Sequence, residues 1–390
     1  MEKIGFLREN HQTTRNSHIC DHRNFECDHK KGNSANAIKF NWFFKIREDD
    51  SKDSMTKNTP TWAVVATVDE PPALVQAFVA WYLSLGAARI FIYCDKPGDP
   101  VGSVLRHLPQ VTVLMCDDAH WLRVGKSRPR RHQVRQVRNA RDAYAQMEAD
   151  WLIHCDADEF LWPRMPVAET LAGVDDGVDG LVVQVAERVH AARSPTQNIF
   201  EGAFRRPFRE PAARGRRIFG LDYDLTYRGL TGHSQGKAFV RKGRALNMSI
   251  HRPRPVRSDQ EVALERAHVD ALELLHFDGL TTAFWTYKLA RMVYALEKRD
   301  GMPPSDHRRK QADALIADPD GAEALYDRLK RPDAALIDLL KTMGLWVEPS
   351  FDPSEPIARW FPDQPADLRP DVLDAWLQRK KAHVLKFLRA

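Results

Sequence analysis

The sequence predicts an α/β protein: a mostly parallel sheet, flanking helices and a helical C-terminal extension. Three observations carry this. Apolar strand-like runs alternate with amphipathic stretches between residues 61 and 185. From about residue 256 onward the chain reads mainly as helices. Finally, the run Trp151-Leu-Ile-His-Cys155 passes directly into Asp156, Asp158 and Glu159, at the kind of strand end where open parallel sheets bind ligands.

The elements follow in order. Residues 1–59 are rich in Asn, His, Lys, Asp and Ser, a composition that reads as disordered or as a non-native leader; Met55 is an alternative start. His18, Cys20, His22, Cys27 and His29 lie close together there, but their spacing matches no zinc pattern. Trp62-Ala-Val-Val-Ala-Thr-Val68 is a buried-type strand. Asp69-Glu-Pro-Pro72 breaks it and opens a helix, whose apolar residues Leu74, Phe78, Trp81, Tyr82 and Leu85 recur at helical spacing until Gly86. Arg89-Ile-Phe-Ile-Tyr-Cys94 is the second strand, followed by Asp95, and Val111-Thr-Val-Leu-Met115 the third, with a short helix between them. Residues 128–149 form a crossover helix with the stripe Val134, Val137, Ala140, Tyr144 and Met147. Trp151–Cys155 is the fourth strand and 181–185 the fifth, with a shorter one at 238–241. Helices are expected over 262–275, 282–296, 322–329, 334–340 and 372–388. The domains are accordingly a leader (1–59), a main domain (60–290) and a helical extension (291–390).

Composition bounds the function. The 390 residues are 43% hydrophobic and 28% charged, with formal net charge +5, as expected for a soluble globular chain of one large or two ordinary domains. No apolar run suffices for a membrane helix and no secretory signal is evident, so a cytoplasmic protein is expected. Five cysteines, sparse and odd in number, argue against a disulfide framework; Cys94, Cys116 and Cys155 read as small buried hydrophobes.

The chemistry concentrates at strand ends. Carboxylates at i and i+2 of an extended chain point to one side. Two anions so placed are tolerated mainly around a cation, and a hard divalent ion completes its shell with water and substrate phosphates. Asp156 and Asp158 therefore suggest a metal–diphosphate site. Two other Asp-x-Asp patterns, at 222–224 and 318–320, follow no such strand. Asp69, Glu70 and Asp95 end neighbouring strands and converge on the same edge.

These pieces, together with Arg131-His-Gln133, Arg138-Asn139, Gly232-His-Ser-Gln-Gly-Lys237 and Leu274-Leu-His-Phe277, resemble the family 2-like glycosyltransferases of GT-A fold (a Rossmann-like nucleotide-diphospho-sugar transferase fold), in particular a bacterial subgroup with an Asp-x-Asp-Glu-Phe signature. The resemblance spans about 61–290. It departs from the family at Val68-Asp69-Glu70, where relatives commonly carry a basic residue and Asn before the Glu. It implies a nucleotide-diphospho-sugar donor, Mn²⁺ or Mg²⁺, and a glycan or lipid-linked acceptor in surface polysaccharide or glycoconjugate synthesis. Asp158 would be a direct metal ligand, and Asp156 would touch the ribose or bind metal through water. Glu159 would orient the loop. His276 or His251 would be a third ligand, with His276 ahead. Asp69, Glu70 and Asp95 would face the nucleotide, and Lys237 or Arg241 would counter the diphosphate charge. A general base would come from Asp222, Asp224, His233 or Asp278, with Asp224 and His233 chosen.

Two other classes compete. Metal-dependent nucleotidyltransferases and phosphohydrolases also place acids at strand ends, but the turn after the first strand has no glycine. The basic stretches 123–141 and 205–217 could contact nucleic acid, yet no nucleic-acid-binding motif accompanies them and no nucleic-acid partner is expected. The basic, apolar segments around 287–294 and 376–388 allow peripheral membrane contact, although packing on the domain is the simpler expectation.

Overall fold

The computed structural model describes residues 59–191, 196–297 and 303–385; the His/Cys cluster of the leader lies outside them. Residues Thr56–Ala390 form one compact unit. The chain runs β1 (Trp62–Val68), α1 (Pro72–Ser84), β2 (Arg89–Cys94), α2 (Val101–Leu105), β3 (Val111–Met115), α3 (Asp118–Val124), α4 (His132–Gln146), β4 (Trp151–His154), β5 (Glu159–Pro163), α5 (Val167–Ala172), β6 (Gly180–Val189), β7 (Ala203–Arg205) and α6 (Ala212–Phe219). It continues through β8 (Lys237–Arg241), β9 (Leu246–Asn247), β10 (Arg254–Pro255), β11 (Leu264–Arg266), β12 (Leu272–His276), α7 (Thr282–Glu297), α8 (Asp306–Ala317), α9 (Ala322–Lys330), α10 (Ala334–Thr342), β13 (Trp346–Val347), α11 (Ser354–Trp360) and α12 (Pro370–Leu385).

The architecture is α/β, as expected. The main sheet has the order β13-β7-β6-β8-β4-β1-β2-β3. Its β3-β2-β1-β4 half is parallel. β1 lies at the middle of that half and is buried along its whole length, which explains a continuous apolar run in place of alternation. Beyond β4 the sheet is mixed, because β8 runs antiparallel to both β4 and β6. That reversal brings Lys237, the first residue of β8, to the carboxyl end of β4.

Residues 262–275 are not a helix. They form β11 and β12, and β12 inserts between β6 (parallel) and β5 (antiparallel). Its spacing also suits a helix, but all five residues of β12 are buried between two strands, and that pairing overrides local preference. The register sets His276 opposite both Glu159 and Glu187.

α4 also differs from its predicted face. Its buried residues are Gln136, Asn139, Ala140 and Ala143, whereas Val134 is exposed. The polar side chains turn inward because they have partners at the strand ends: Asn139 Nδ2 donates to Thr67 Oγ1 at 3.0 Å and Gln136 Nε2 donates to Asp156 Oδ1.

The boundary expected at 290 falls inside α7. Phe351 packs at 4.3–5.4 Å (ring centroids) from Trp81, Phe160, Phe200 and Phe277, so residues beyond 290 share the sheet's core. Gly236 shows how tightly the site's backbone is held. Its φ is +71°, and a Cβ there would meet the Val183 carbonyl oxygen at 2.0 Å. Gly236→Ala is expected to destabilise the fold by about 1–3 kcal/mol, read by urea denaturation; a change within error would show that this turn relaxes freely.

Candidate active site

A cleft of about 860 Å³ opens at the carboxyl ends of β1, β2 and β4. The β1–β4 register pairs Val65 with His154, so the turn carrying Asp156 and Asp158 stands level with Asp69 and Glu70. The Asp95 carboxylate is gripped by Arg135, with Nε at 2.7 Å and a second nitrogen at 2.8 Å, and by Arg128 at 3.1 Å. Burial alone would raise its pKa, but these guanidiniums hold it below the usual range. Asp69 pairs with Lys381 of α12 at 2.6 Å and with Lys96 at 3.2 Å. Lys381 is thus buried against the domain, its ammonium also over the Trp376 ring. Burial pushes His132 down to about 4, with Arg291 adding to the effect.

Glu70 accepts the Asp69 N–H at 2.7 Å, and burial pushes its carboxyl up from 4.5 to about 7. The folded form therefore holds this proton more tightly than the unfolded form. The destabilisation due to ionised Glu70 develops between about pH 4.5 and 7 and is complete above it. Glu70→Gln is accordingly expected to raise the thermal midpoint more at pH 8 than at pH 5. An equal shift at both pH values would contradict the raised carboxyl.

The acidic turn is wired to distant elements. Asp156 receives Gln136 on one oxygen and Lys237 Nζ on the other at 2.9 Å. Burial opposes its ionisation, but Lys237 holds it well below the usual carboxylate range. Glu159 is saturated: Oε2 accepts the Asp156 N–H at 2.9 Å and lies 3.1 Å from Lys237 Nζ, and Oε1 lies 3.0 Å from His233 Nε2. Despite full burial, Lys237 keeps Glu159 ionised. With Nε2 donating to the Glu159 carboxylate, a neutral His233 ring has its lone pair on Nδ1; Nδ1 is buried with no hydrogen-bond partner among the described residues.

Asp158 Oδ2 accepts from Lys288 of α7 and lies 3.9 Å from His276 Nε2. Burial lowers the His276 pKa and keeps the ring neutral. A carboxylate oxygen and a neutral imidazole nitrogen facing each other would suit a shared divalent cation in place of the Lys288 ammonium that now holds this Oδ2. Glu159, His233 and His276 also group their ligand atoms within 4.8 Å, although the two Glu159 oxygens are already engaged.

Of the sequence-predicted residues, Asp69, Glu70, Asp95, Asp156, Asp158, His233, His251 and His276 line one cleft, and Lys237 braces it. Asp224 does not join them. It lies in the 3₁₀ turn Gly220–Leu225, half-exposed and paired with Arg216 at 3.0 Å. Asp222 pairs with Arg328. Asp278 is buried under Arg308 at 2.6 Å and Lys288 at 3.2 Å. Burial would raise it, yet these cations hold it well below the carboxylate range, so it is no proton acceptor near neutrality. Arg241 points away, to the carbonyls of Val178 and Asp175. Sequence reasoning missed Lys288, Arg291, Arg308 and the buried Lys330. For Lys288 and Arg291 the visible trace is the mixed basic and apolar pattern at 287–291.

No family model matches the chain, and no curated protein matches it. Among solved structures, it is similar to S. aureus TarS residues 1–349 (13% identity, 84% of this chain and 87% of that one, TM-score 0.29). It is also similar to glucosyl-3-phosphoglycerate synthase from Mycobacterium tuberculosis (13%, 47% and 57%, TM-score 0.26). A third is 4-diphosphocytidyl-2C-methyl-D-erythritol synthase from Anaerococcus prevotii (7%, 55% and 92%, TM-score 0.26). Overlaps this weak assign no activity, and the chemistry of the cleft stands on its own residues. No described helix is long and apolar enough to cross a membrane.

Proposed function

We propose that the protein is a metal-dependent glycosyltransferase that moves a sugar from a nucleotide-diphosphate donor to an acceptor hydroxyl. The observation that carries this reading is the Asp158–His276 pair, set at the carboxyl ends of parallel strands in a cleft that also holds Lys288, Arg291 and Arg308. Asp158 and His276 would hold Mn²⁺ or Mg²⁺, which when bound neutralises charge on the departing diphosphate. Lys288 and Arg308 add fixed positive charge beside it. Asp156, with both oxygens engaged, acts by fixing the turn rather than as a direct ligand. Glu70, Asp69 and Asp95 would line the nucleotide half.

For the acceptor, His233 is the best-supported base. Its Nδ1, buried in this structure, would have to open to the cleft to take the hydroxyl proton, and the ionised Glu159 at Nε2 would then steady the resulting imidazolium. The turn after β1, Asp69-Glu-Pro-Pro72, lacks the glycines of a phosphate loop, which weighs against nucleotidyl transfer. The test is a donor screen with purified protein and Mn²⁺. Release of nucleoside diphosphate supports the proposal, and release of pyrophosphate would replace it with nucleotidyl transfer.

A further inference from the structure

One strongly charged surface is left unused by this reading. Arg209, Arg252 and Arg266 are exposed and Arg228 is half-buried. Partial burial, then the charges of Arg228, Arg266 and Arg252, lower the Arg209 pKa, so Arg209 stands within electrostatic reach of each of the other three. None of the four has a carboxylate partner among the described residues. Nearby arginines do: Arg206 pairs with Glu273, Arg214 with Glu210 and Arg216 with Asp224.

The backbone is shaped to present this cluster. Tyr227 and Leu230 exchange hydrogen bonds at 2.8 and 3.1 Å. Between them, Arg228 and Gly229 both have positive φ, +57° and +76°, the pattern of a tight type I′ turn. A non-glycine residue held in that region is uncommon, and such strain collects at ligand sites. The Phe208 N–H donates to the Arg228 carbonyl at 2.9 Å, which ties the Arg209 segment to the same turn. Arg228 itself lies over the Tyr227 ring.

The cluster adjoins the cleft. Tyr227 and His251, the chain neighbours of Arg228 and Arg252, both line it, and His251 packs at 4.4 Å (ring centroids) on His233. This is the rim beside the proposed base, and the nucleotide half at Glu70 and Asp95 is built from other strands. Resting on the proposed transferase reading, the geometry points to an acceptor that carries a phosphate group, bound by Arg209, Arg228, Arg252 and Arg266 while its hydroxyl faces His233. Guanidinium forks suit phosphate oxygens, and a compact cluster at a cleft rim suits one phosphate better than a nucleic-acid track.

The test uses inorganic phosphate as the probe, with UDP at saturation to occupy the donor half, on the full chain and on Arg209→Gln/Arg252→Gln. Both positions are exposed, so the variant should fold. The apparent Kd for phosphate is expected to rise about tenfold or more, an effect that shrinks with added salt, while UDP affinity is unchanged. Equal phosphate affinity in both proteins would overturn the site. A protein that does not bind UDP, yet loses phosphate binding in the variant, keeps the site and sinks the donor assignment instead. Phosphatidylglycerol vesicles separate the sources. Retention lost in the variant supports a lipid headgroup, and no retention alongside saturable phosphate binding supports a soluble acceptor. A single-stranded oligonucleotide that binds more tightly than phosphate and is released in the variant would overturn the acceptor reading in favour of nucleic acid.

Discussion

Asp158→Asn is expected to lower metal-dependent turnover about 10²- to 10³-fold, the loss typical when one stabiliser of developing charge is removed. The amide keeps the shape of the side chain but removes the anion that faces both His276 and Lys288. A divalent ion held there would then lose its charged ligand. Lys288 keeps a second partner, Asp278, at 3.2 Å, and the variant should stay folded, at a cost of about 1–2 kcal/mol, less than for a fully broken buried pair. The check is Mn²⁺-dependent nucleoside diphosphate release alongside urea denaturation. Full turnover in a folded variant would remove Asp158 from the chemistry and the metal assignment with it.

Lys330→Met is expected to be the most damaging change to stability, about 3–5 kcal/mol. Lys330 is fully buried at the end of α9, with Nζ 2.9 Å from Glu187 Oε1, 3.2 Å from the Arg188 carbonyl and 3.9 Å from Asp278. Methionine fills similar space but leaves Glu187 and Asp278 as buried anions short of one cation. Glu187 accepts the N–H groups of Thr231 and Gly232 at 2.7 and 2.6 Å, so loosening it disturbs the strand of chain that presents His233. The pH dependence has a definite sign. In the wild type, burial would raise the Glu187 and Asp278 carboxyls, but the surrounding cations depress both. Their stabilisation is present above the unfolded carboxylate range and is lost as pH falls through the depressed values. Without Lys330 that depression weakens, so the variant's deficit should be full at pH 7 and shrink as pH falls from about 4.5 toward about 2. A deficit below about 0.5 kcal/mol, as for a surface position, would show that the ion pair adds nothing to the fold.

The acidic turn was legible because its signal is local. An apolar strand running into carboxylates at i and i+2 needs no distant partner to be read, and the same holds for Glu70 and Asp95 at neighbouring strand ends. Asp224 misled for a different reason: its only claim as a base was its place in the region expected to line the acceptor side, and the structure instead pairs it with Arg216 on the surface. The residues that tune the turn were hidden. Gln136 and Asn139 lie beside the apparent apolar stripe, and only their bonds to Asp156 and Thr67 explain why that face is buried. β12 reads equally well as helix, and its identity depends on β5 and β6 closing around it.

By itself, then, the order of apolar runs determined the α/β class, the parallel half of the sheet and the edge on which acids gather, because period and strand-end chemistry are written within a few residues of one another. Which cation sits on which acid was decided only by tertiary structure. Lys237 reaches Asp156 through an antiparallel strand, Lys288 reaches Asp158 from α7 and Lys330 reaches Glu187 from α9. Those pairs join residues 81, 130 and 143 positions apart. No local pattern specifies such a match; burial does, because a carboxylate removed from water is stable only where the fold delivers a counter-charge.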